Sequence, residues 1–440
     1  MNRRSFLRHS ASAALLTAAP SSLETIARAA PSNRLRAGMI GADGRAGVLN
    51  RYFAANPEVE IAAIAEIDPG RLPATLEAVT RLQGSRPKTV TDFRRIIDDA
   101  ALDVIVVGTP DHWHAIPTIL ACMNGKDVYV EKPDAHNIVE GRRMIAAARK
   151  FQRVIQVGSQ HRTTQRVLSA QAYIRAGHLG RCLFAKAWES ARQGPIGRPA
   201  DSTPPPGVDY DLWLGPAPKR PFNRNRFHKR WRWFFDYGTG DLGNDGIHRL
   251  DFAVAMMNAA LEAEGRPALG LPHRISALGG KWYFDDAQEW PDTLQVSYEF
   301  KTAPPRLLTY EMRVWAPYKY HGESEGAVIY GDRGYLVMGN RGWRAYTRDN
   351  ELVQETPGDS DAAPHVQNFI NCVKSRRRPA CDLETVGHPA SVLCHAGNIA
   401  WRTGRTLTLD PASESFPDDP EANALRGRPE WRRPYILPEV

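Results

Sequence analysis

Short apolar runs alternate with helix-like segments through the first third of the chain. The runs lie at 35–40, 59–65, 102–108, 128–130 and 154–158. Segments of helical character lie between them, at 48–55, 70–82, 92–98, 116–123 and 138–151. Strands that are apolar throughout are typical of a parallel sheet covered by helices on both faces and built from right-handed βαβ units. We therefore predict such a sheet over residues 34–158.

The polarity pattern changes beyond residue 158. Strands of more mixed polarity are predicted at 181–190, 274–283, 293–300, 305–315 and, as a hairpin, 327–338. A helix over 164–176 precedes them, a proline- and glycine-rich stretch interrupts them at 194–207, and a helix over 383–404 follows. This pattern predicts an open, mainly antiparallel sheet with helices on one face. The predicted fold class is α/β, with a second domain over 159–382 and a terminal helix and tail over 383–440.

The first 30 residues have the organisation of an export signal. Arg3 and Arg4 precede a mildly apolar stretch at 11–19, and small residues at 27–30 offer a cleavage site. Paired arginines in this order are typical of a twin-arginine signal peptide, which predicts a periplasmic or extracellular protein. A frayed, basic, alanine-rich tail is the alternative.

Charge and cysteine content exclude several classes of partner. The chain of 440 residues has a formal charge of +8, and its first 30 residues contain four arginines and one glutamate, so the remainder carries +5. This small, dispersed excess does not indicate a nucleic-acid partner. No apolar run approaches the roughly 20 residues of a membrane span. Five cysteines without C-x-x-C spacing predict buried free thiols rather than a zinc site, and one disulfide remains open.

A glycine-rich loop joins the first predicted strand to the first helix. Its spacing, G-x-x-G-x-x-G, is formed by Gly41, Gly44 and Gly47. Glycines here permit a tight turn that places a helix N-terminus against a pyrophosphate. Asp43 departs from the dinucleotide-binding pattern and is unfavourable beside a pyrophosphate unless it points away.

The cofactor type is indicated by the end of the second strand. Glu66 lies 25 positions after Gly41, where a carboxylate binds ribose hydroxyls and repels a 2′-phosphate. NAD is therefore favoured over NADP. Arg45 could stack on adenine or hold a phosphate, which keeps NADP open.

The fourth predicted strand runs into Glu131, Lys132 and Pro133. Pro133 ends the strand because it has no N–H to donate, and the carboxyl ends of parallel strands border the ligand crevice. A lysine amine at that edge can transfer a proton once its surroundings lower its pKa. A surface Glu-Lys pair before a turn is the alternative.

The third strand leads into Thr109 and Pro110, followed by His112 and His114. The H-x-H spacing can bind metal, but no third ligand is evident nearby in the sequence. We predict no metal site, and we expect His114 to shape the cofactor pocket.

The motifs, taken in order, resemble one family. A glycine loop, Glu66, Thr109-Pro110, Glu131-Lys132-Pro133 and a glycine-rich helix start with His248 follow one another as in the glucose–fructose oxidoreductase and inositol dehydrogenase (Gfo/Idh/MocA) family. The stretches 111–114, 226–251 and 429–435 resemble its exported bacterial branch. The resemblance covers about residues 35–435 and implies a Rossmann domain followed by an α/β domain that forms homo-oligomers through its open sheet.

The resemblance also implies a catalytic lysine, here Lys132, and an Asp-x-x-x-His pair over the nicotinamide, here Asn244 and His248. Four-residue spacing places both side chains on one helix face, whereas Asp245 would point elsewhere. Asparagine can bind a sugar hydroxyl but cannot accept its proton. Lys132 is the first candidate for the base and His248 the second, although His248 could instead be a satisfied core histidine.

The predicted contacts divide between two ligands. Trp231 and Trp233 could stack on a sugar or belong to the core or a subunit contact, and Asp241 is a further substrate candidate. The cofactor-binding prediction comprises Gly41, Asp43, Gly44, Arg45, Glu66, Thr109, Pro110, His114, Glu131, Lys132 and Gln160.

The predicted function is oxidation of a carbohydrate hydroxyl with NAD. Free NAD is not expected outside the cytoplasm, so an exported enzyme would hold its cofactor tightly and regenerate it in place. A glycoside-cleaving cycle of oxidation, elimination, hydration and reduction is the second hypothesis. A carbohydrate-binding protein that keeps its cofactor as structure is the third, favoured by Asn244 and the altered glycine loop.

Overall fold

A six-stranded parallel sheet forms the first half of the computed structural model, which describes residues 34–440. The predicted export signal lies outside the described residues. The strands and helices of this half are β1 Leu35–Ile40, α1 Arg45–Ala55, β2 Val59–Ala65, α2 Leu72–Gln83, β3 Lys88–Val90, α3 Arg94–Ile97, β4 Val104–Val107, α4 Ala115–Met123, β5 Asp127–Val130, α5 Ile138–Phe151 and β6 Ile155–Val157.

The strand order in this sheet is β3-β2-β1-β4-β5-β6, with every pair parallel. The order reverses between β1 and β4, and such a switch point opens a crevice at the carboxyl ends of the strands. The predicted parallel sheet is confirmed. The prediction omitted β3, whose three residues are largely exposed and carry no apolar run.

A nine-stranded sheet organises the second half. Its elements are α6 Gln165–Arg175, β7 Cys182–Ser190, α7 Tyr210–Leu214, α8 Ile247–Ala263, β8 Arg274–Gly280, β9 Thr293–Phe300, β10 Arg306–Arg313, β11 Glu325–Gly331, β12 Gly334–Gly339, β13 Gly342–Thr347, β14 Leu352–Pro357, α9 Ala363–Ser375, α10 His388–Thr403, β15 Leu407–Thr408 and α11 Pro420–Ala424. Their order in the sheet is β14-β13-β12-β11-β7-β10-β9-β8-β15.

The second sheet is antiparallel except where β7 and β10 run parallel. Alternate residues of β9 are buried, as the polarity pattern predicted. Helix α8, buried along most of its length, packs on β7 and β11, and α10 packs on β8. The prediction of an open, mainly antiparallel sheet is confirmed, although it omitted β13 and β14.

Helix α9 packs against the first sheet rather than the second. The Phe369 ring lies 6.3 Å from Phe53 and 5.8 Å from Tyr129, and the buried Val366 and Ile370 join the same apolar cluster. The expected division at residue 382 assigned this helix to the second domain. Its contacts show that the first sheet is completed by chain far beyond residue 158.

Two single π turns precede long helices. They are Leu242–Gly246 before α8 and Leu383–Gly387 before α10. In a π turn each hydrogen bond spans one residue more than in an α-helix, and such turns are frequent at functional sites. The first of them borders the crevice described below.

Two predictions from composition concern the whole chain. All five cysteines are buried and unpaired, so free thiols are confirmed. Among residues 34–440, no helix is long and apolar enough to cross a membrane.

A buried histidine connects the loop after β5 to the end of the chain. His388 Nδ1 lies 2.8 Å from Asp134 Oδ2, and its Nε2 lies 2.9 Å from Glu414 Oε2. Burial alone lowers the pKa of His388, but Asp134 and Glu414 outweigh burial and raise it to about 9. The imidazolium therefore stabilises the fold fully below about pH 6.5, and that contribution is lost as the pH rises through 9.

Replacing His388 by glutamine should remove this pH dependence. We expect wild type to melt several degrees higher than His388→Gln at pH 7, because the variant removes the buried cation between Asp134 and Glu414 and leaves only Arg142, 3.5 Å from Glu414, as a cationic partner. The difference in melting temperature between the two proteins should narrow between pH 8 and 10 as the histidine loses its proton. Thermal melts of both proteins across that range measure it, and a gap independent of pH would contradict the assignment.

Candidate active site

A cavity of about 630 Å³ lies at the carboxyl edge of the first sheet, at the switch point between β1 and β4. One wall comes from the loops after β1, β2, β4 and β5, and the other from residues 228–232 and 244–248 of the second half. The two halves of the chain therefore meet across the cavity. Its residues come from parts of the chain as distant as 41 and 248.

The glycine loop has the backbone that a tight turn requires. Gly41 has φ +107° and Gly44 has φ +58°, values that favour glycine. A Cβ on Gly41 would lie 2.8 Å from that of Ala46. Helix α1 begins at Arg45, so its unpaired N–H groups border the cavity. Asp43 forms an ion pair with Arg71, which compensates its charge beside an anion site.

Glu66 lies where a carboxylate that binds the ribose hydroxyls of the cofactor is expected. Its Oε2 accepts from the Ala42 N–H at 2.9 Å and its Oε1 from the Asp68 N–H at 3.0 Å. Burial raises the pKa of Glu66, and these two backbone bonds oppose that rise. The carboxylate is thus held at the mouth of the cavity, next to the glycine loop.

Arg45 forms hydrogen bonds with the loops that follow β5 and β6. Its Nε donates to Glu131 Oε1 at 2.8 Å and its Nη2 to Gln160 Oε1 at 3.1 Å. A Cβ on Gly158 would lie 2.6 Å from Glu131 Oε1, so glycine there leaves room for the carboxylate. Arg45 therefore pairs with the loops after β5 and β6, not with the loop after β2 that carries Glu66.

The two histidines of the H-x-H motif bind backbone carbonyls. His114 lies 2.6 Å from the Pro133 oxygen and 2.9 Å from the Thr109 oxygen, so it connects two cavity loops from behind. It is buried and does not line the cavity, contrary to the expected direct contact with cofactor. His112 Nε2 lies 2.9 Å from the Trp213 oxygen. Thr109 and Pro110 do line the cavity, and Thr109 Oγ1 is buried without a partner.

Lys132 reaches across the cavity to the π turn that precedes α8. Its Nζ donates to the Asn244 backbone oxygen at 2.5 Å and lies 3.5 Å from Asn244 Oδ1. The peptide bond between Lys132 and Pro133 is cis. Asn244 Nδ2 in turn donates to Asp241 at 3.2 Å and to Asp245 at 3.0 Å. Lysine, amide and carboxylates form one continuous polar row.

His248 lies in the first turn of α8 and lines the same cavity. Its ring meets His161 edge to face, with the centroids 5.0 Å apart. Burial, followed by the nearby His161 and Lys132, holds the pKa of His248 well below its usual value. The imidazole is therefore neutral at pH 7, and the same surroundings make it a weaker base than an exposed histidine.

Asp245 also lines the cavity, contrary to the expectation that it points elsewhere. That expectation assumed α-helical geometry, in which adjacent residues do not share a face. Residues 242–246 form a π turn instead, and the altered rotation brings Asn244, Asp245 and His248 to one wall.

Three carboxylates gather behind this wall. Oxygen atoms of Glu189, Asp241 and Asp245 lie within 4.8 Å of one another. Burial first, and then the neighbouring Asp245, raises the pKa of Asp241 to about 6. Burial first, and then Asp241, raises that of Glu189 well above 4.5. Asp241 is buried and does not line the cavity, so it is not a direct substrate contact.

The tryptophans Trp231 and Trp233 occupy different environments. Trp231 lines the cavity, whereas Trp233 is 4% exposed and packs in the core of the second half. Residues 231–233 form a 3₁₀ turn. With three residues per turn, positions two apart face different directions. Of the two expected roles, sugar stacking or core packing, the structure gives Trp233 the core position.

Two family profiles match this chain. The profile of the NAD-binding Rossmann domain of an oxidoreductase family matches residues 35–159. The profile of that family's C-terminal alpha/beta domain matches residues 187–262 and 320–436. The chain belongs to the Gfo/Idh/MocA oxidoreductase family.

Similar proteins of this Gfo/Idh/MocA family align over part of the chain. The levoglucosan dehydrogenase of Pseudarthrobacter phenanthrenivorans is 33% identical over 113 residues, which are 24% of this chain and 29% of that protein. A glycosyl hydrolase family 109 protein of Shewanella pealeana is 27% identical over 207 residues, 42% of this chain and 45% of that protein. The matched segments thus span less than half of these relatives.

Solved structures of the family share the whole fold. Levoglucosan dehydrogenase in complex with NADH and levoglucosan gives a TM-score of 0.65 at 18% identity, covering 86% of this chain and all of that one. The aldose-aldose oxidoreductase from Caulobacter crescentus gives 0.63 at 18% identity over 86% of this chain and all of that one. At this identity the likeness establishes the fold alone.

The residues of this Gfo/Idh/MocA chain fit a nicotinamide dinucleotide. Positive-φ glycines, a helix N-terminus, the Glu66 carboxylate and the unpartnered Thr109 hydroxyl all border one crevice. Sequence reasoning did not assign Glu189, Arg71, His228 or Arg232, which reach the site only through tertiary contacts. Asp245 carried a signal, its place beside Asn244, but the π turn that reveals its role is not visible in the sequence.

Proposed function

We propose that this protein oxidises a carbohydrate hydroxyl with a tightly held NAD that is regenerated in the same site. The observation that carries the proposal is the placement of Lys132 against Asn244, beside the neutral His248, in the dinucleotide crevice. Family relatives named levoglucosan dehydrogenase and inositol 2-dehydrogenase support a polyhydroxylated substrate.

The mechanism needs one base and one aligned hydroxyl. When bound, the nicotinamide supplies the hydride acceptor. Lys132 is the first candidate for the base, because the Asn244 carbonyl orients its Nζ within the cavity. His248 is the second candidate, since its imidazole is neutral. General acid–base groups of this kind contribute roughly 10²–10⁴-fold to a rate.

The remaining cavity residues hold and orient the sugar. Asn244 supplies an amide within reach of Lys132, and Trp231 offers an apolar ring face for the C–H groups of a pyranose. Arg232 lies on the same wall and can donate to sugar oxygens.

Tight retention of the cofactor is supported by a bridge over the crevice. His228 Nε2, from the second half, lies 3.1 Å from Asp68 Oδ2, and Arg71 Nε lies 3.2 Å from His228 Nε2. The Asp209 N–H also donates to the Ile67 oxygen at 3.3 Å. Chain from the second half therefore covers the crevice near Glu66. Such cover suits the predicted export through the twin-arginine route to the periplasm or beyond.

NAD rather than NADP is the proposed cofactor because of Glu66. A 2′-phosphate would meet its carboxylate, and like charges in contact cost several kcal/mol. We expect Glu66→Ser to shift the NAD to NADP affinity ratio toward NADP by about tenfold or more. Titration of cofactor-stripped protein with each dinucleotide measures the ratio.

The matched control is Glu60→Ser, on the strand that ends just before Glu66 and outside the cavity. It should leave the ratio unchanged. Equal NAD preference in wild type and Glu66→Ser would show that another group selects the cofactor.

A glycoside-cleaving cycle is the second candidate. Three carboxylates at and behind the wall formed by the π turn favour it, because elimination needs a proton transfer beyond the oxidation step. The glycosyl hydrolase family 109 relative is consistent with it. A carbohydrate-binding protein is less well supported, because Asp43 is charge-compensated and Lys132 lies in the cavity.

We also propose a homo-oligomer formed through the second sheet and its flanking loops. Several large apolar side chains there are exposed: Leu278, Trp282, Tyr283 and Tyr318. Exposed apolar side chains that come together in one patch are typical of association sites.

The decisive experiment measures cofactor in the purified mature protein. Denaturation and chromatography of the released small molecules should give near-stoichiometric NAD(H). Adding glycosides should then change the absorbance of bound cofactor without releasing NADH. An empty protein that binds neither added NAD nor NADP would contradict the proposal and favour the binding protein.

A further inference from the structure

The lysines and arginines that line the crevice differ in what they bind. Three of the five have partners there: the pairs are Arg45 with Glu131, Arg71 with Asp43 and Lys132 with the Asn244 carbonyl. Lys229 and Arg232 come from the facing wall, and neither makes a side-chain hydrogen bond or an ion pair among residues 34–440. Two cations from the second half of the chain are therefore available to a ligand.

A pyrophosphate bound at the glycine loop needs positive charge from both walls. On the first half it meets the N-terminus of α1, which supplies backbone N–H groups and roughly half a positive charge. Arg45 and Arg71 also border the loop, but each is already paired with a carboxylate. Negative charge that is covered and left uncompensated is costly. The remaining cation must therefore come from the facing wall.

Lys229 is placed by a bridge that crosses the crevice beside the glycine loop. It follows His228, whose Nε2 lies 3.1 Å from Asp68 Oδ2 and 3.2 Å from Arg71 Nε. Arg71 pairs in turn with Asp43 of the glycine loop. Lys229 is therefore next to a side chain that is tied, through one arginine, to the loop where the pyrophosphate is expected.

Arg232 lies toward the other end of the crevice. Burial raises the pKa of Asp111, and the charged neighbours of this carboxyl, which include Lys132 and Arg232, oppose that rise. Arg232 thus shares the surroundings of the candidate base, where the sugar is expected. Of the two available cations, Lys229 is the one beside the cofactor.

The chain around the bridge is anchored in the core immediately before Lys229. Phe227 is 3% exposed, and its ring centroid lies 5.2 Å from those of both Trp213 and Phe222. His228 then adopts a left-handed backbone with φ +51°, which is uncommon for a residue other than glycine. The chain turns there from the buried Phe227 to the exposed Lys229. The lysine is thus held at the crevice while its amine stays unpaired.

We propose that Lys229 binds the pyrophosphate of the dinucleotide from the second half of the chain, and that the His228 bridge holds it there. This inference rests on the proposed function, because it concerns the same cofactor. It also names what controls the tight retention, since NAD leaves only when the bridge opens. Lys229 is then a cofactor ligand and His228 a positioning residue.

Release of NADH from the full mature protein tests the role of Lys229 without any sugar. Protein loaded with NADH is mixed with excess NAD, and the loss of bound-NADH fluorescence gives the dissociation rate. We expect Lys229→Gln to release NADH about tenfold faster than wild type or more, because a charge-assisted hydrogen bond is lost. Lys229→Arg keeps the charge and should restore most of the retention.

The matched control is Arg224→Gln. Arg224 is an exposed cation of the same segment that lies outside the crevice. Its replacement removes the same charge from the chain as Lys229→Gln does. We expect Arg224→Gln to release NADH at the rate of wild type.

His228→Asn separates positioning from binding. Asparagine tolerates the left-handed backbone but lacks the imidazole that contacts Asp68 and Arg71, so we expect faster release here as well. If His228 acts through Lys229, adding Lys229→Gln to His228→Asn should change the rate by less than about threefold. Release from wild type should accelerate with NaCl, because salt screens the contact between lysine and phosphate. That acceleration should be smaller in both single variants.

The outcomes separate this inference from the proposed function. A wild type that binds neither NADH nor NAD overturns both. Release from Lys229→Gln at the wild-type rate overturns the inference alone, as does equal acceleration in Arg224→Gln. Full additivity of Lys229→Gln and His228→Asn overturns the positioning role of His228. Release that depends on Lys229, in a protein whose bound NAD no sugar reduces, supports the inference and overturns the proposed oxidation.

Discussion

Lys132→Met is expected to lower the rate of sugar oxidation by roughly a thousandfold while the bound cofactor remains. Methionine retains much of the length of the side chain and removes the amine that contacts Asn244. The glycine loop, the α1 N-terminus and Glu66 lie elsewhere in the crevice and should continue to hold the dinucleotide. Single-turnover absorbance of bound cofactor at saturating sugar measures the rate, and released cofactor after denaturation measures occupancy.

Lys132→Arg separates two roles of the lysine. Arginine keeps the positive charge but cannot give up a proton near neutral pH. If Lys132 is the base, Lys132→Arg should be about as slow as Lys132→Met. A rate within tenfold of wild type in Lys132→Met would instead assign the base to His248.

Asp251→Ala is expected to lower the free energy of unfolding by about 3–5 kcal/mol. Asp251 lies on α8 one turn after His248. Arg162 Nε donates to its two carboxylate oxygens at 2.9 and 2.8 Å. Arg162 and Asp251 side chains are only 13% and 3% exposed. Removing the carboxylate alone leaves the Arg162 guanidinium buried without its partner. An unpaired buried charge destabilises the folded state more than the loss of both charges does. Urea denaturation followed by tryptophan fluorescence measures the change.

The double variant Arg162→Met/Asp251→Leu is the control. Replacing both partners by apolar groups of similar size avoids the unpaired charge. It should therefore be more stable than Asp251→Ala, despite carrying two substitutions. A double variant that is the less stable of the two would show that the ion pair itself stabilises the packing of α8.

Features of the fold that depend on local pattern could be predicted. The apolar runs of β1, β2 and β4 and the alternation in β9 identified their strands, because burial on two faces or one face fixes the pattern. Strand β14 has five of its six residues exposed, so no apolar periodicity marks it. Strand β3 is three residues long, and its polar sequence resembles a loop.

Features of the site that depend on helix geometry or distant contacts could not be predicted. A π turn moved Asp245 into the cavity, and a 3₁₀ turn moved Trp233 out of it, since both change the rotation per residue. Glu189 is separated from Asp241 by 52 positions and joins it only through the packing of β7 against the π turn. Glu66 and Lys132 could be predicted as site residues because each of them follows the carboxyl end of a parallel strand.

The packing of α9 has a consequence for the order in which the protein is assembled. His365 and the Cys381 carbonyl both bind the backbone of Val157, and Tyr435 packs 5.4 Å from the ring of Trp113. Chain synthesised after residue 360 therefore closes the first sheet. During translation, the contacts that complete the first sheet behind the crevice would form only after residues 365–435 have been synthesised. A product truncated before residue 365 would consequently lack this support.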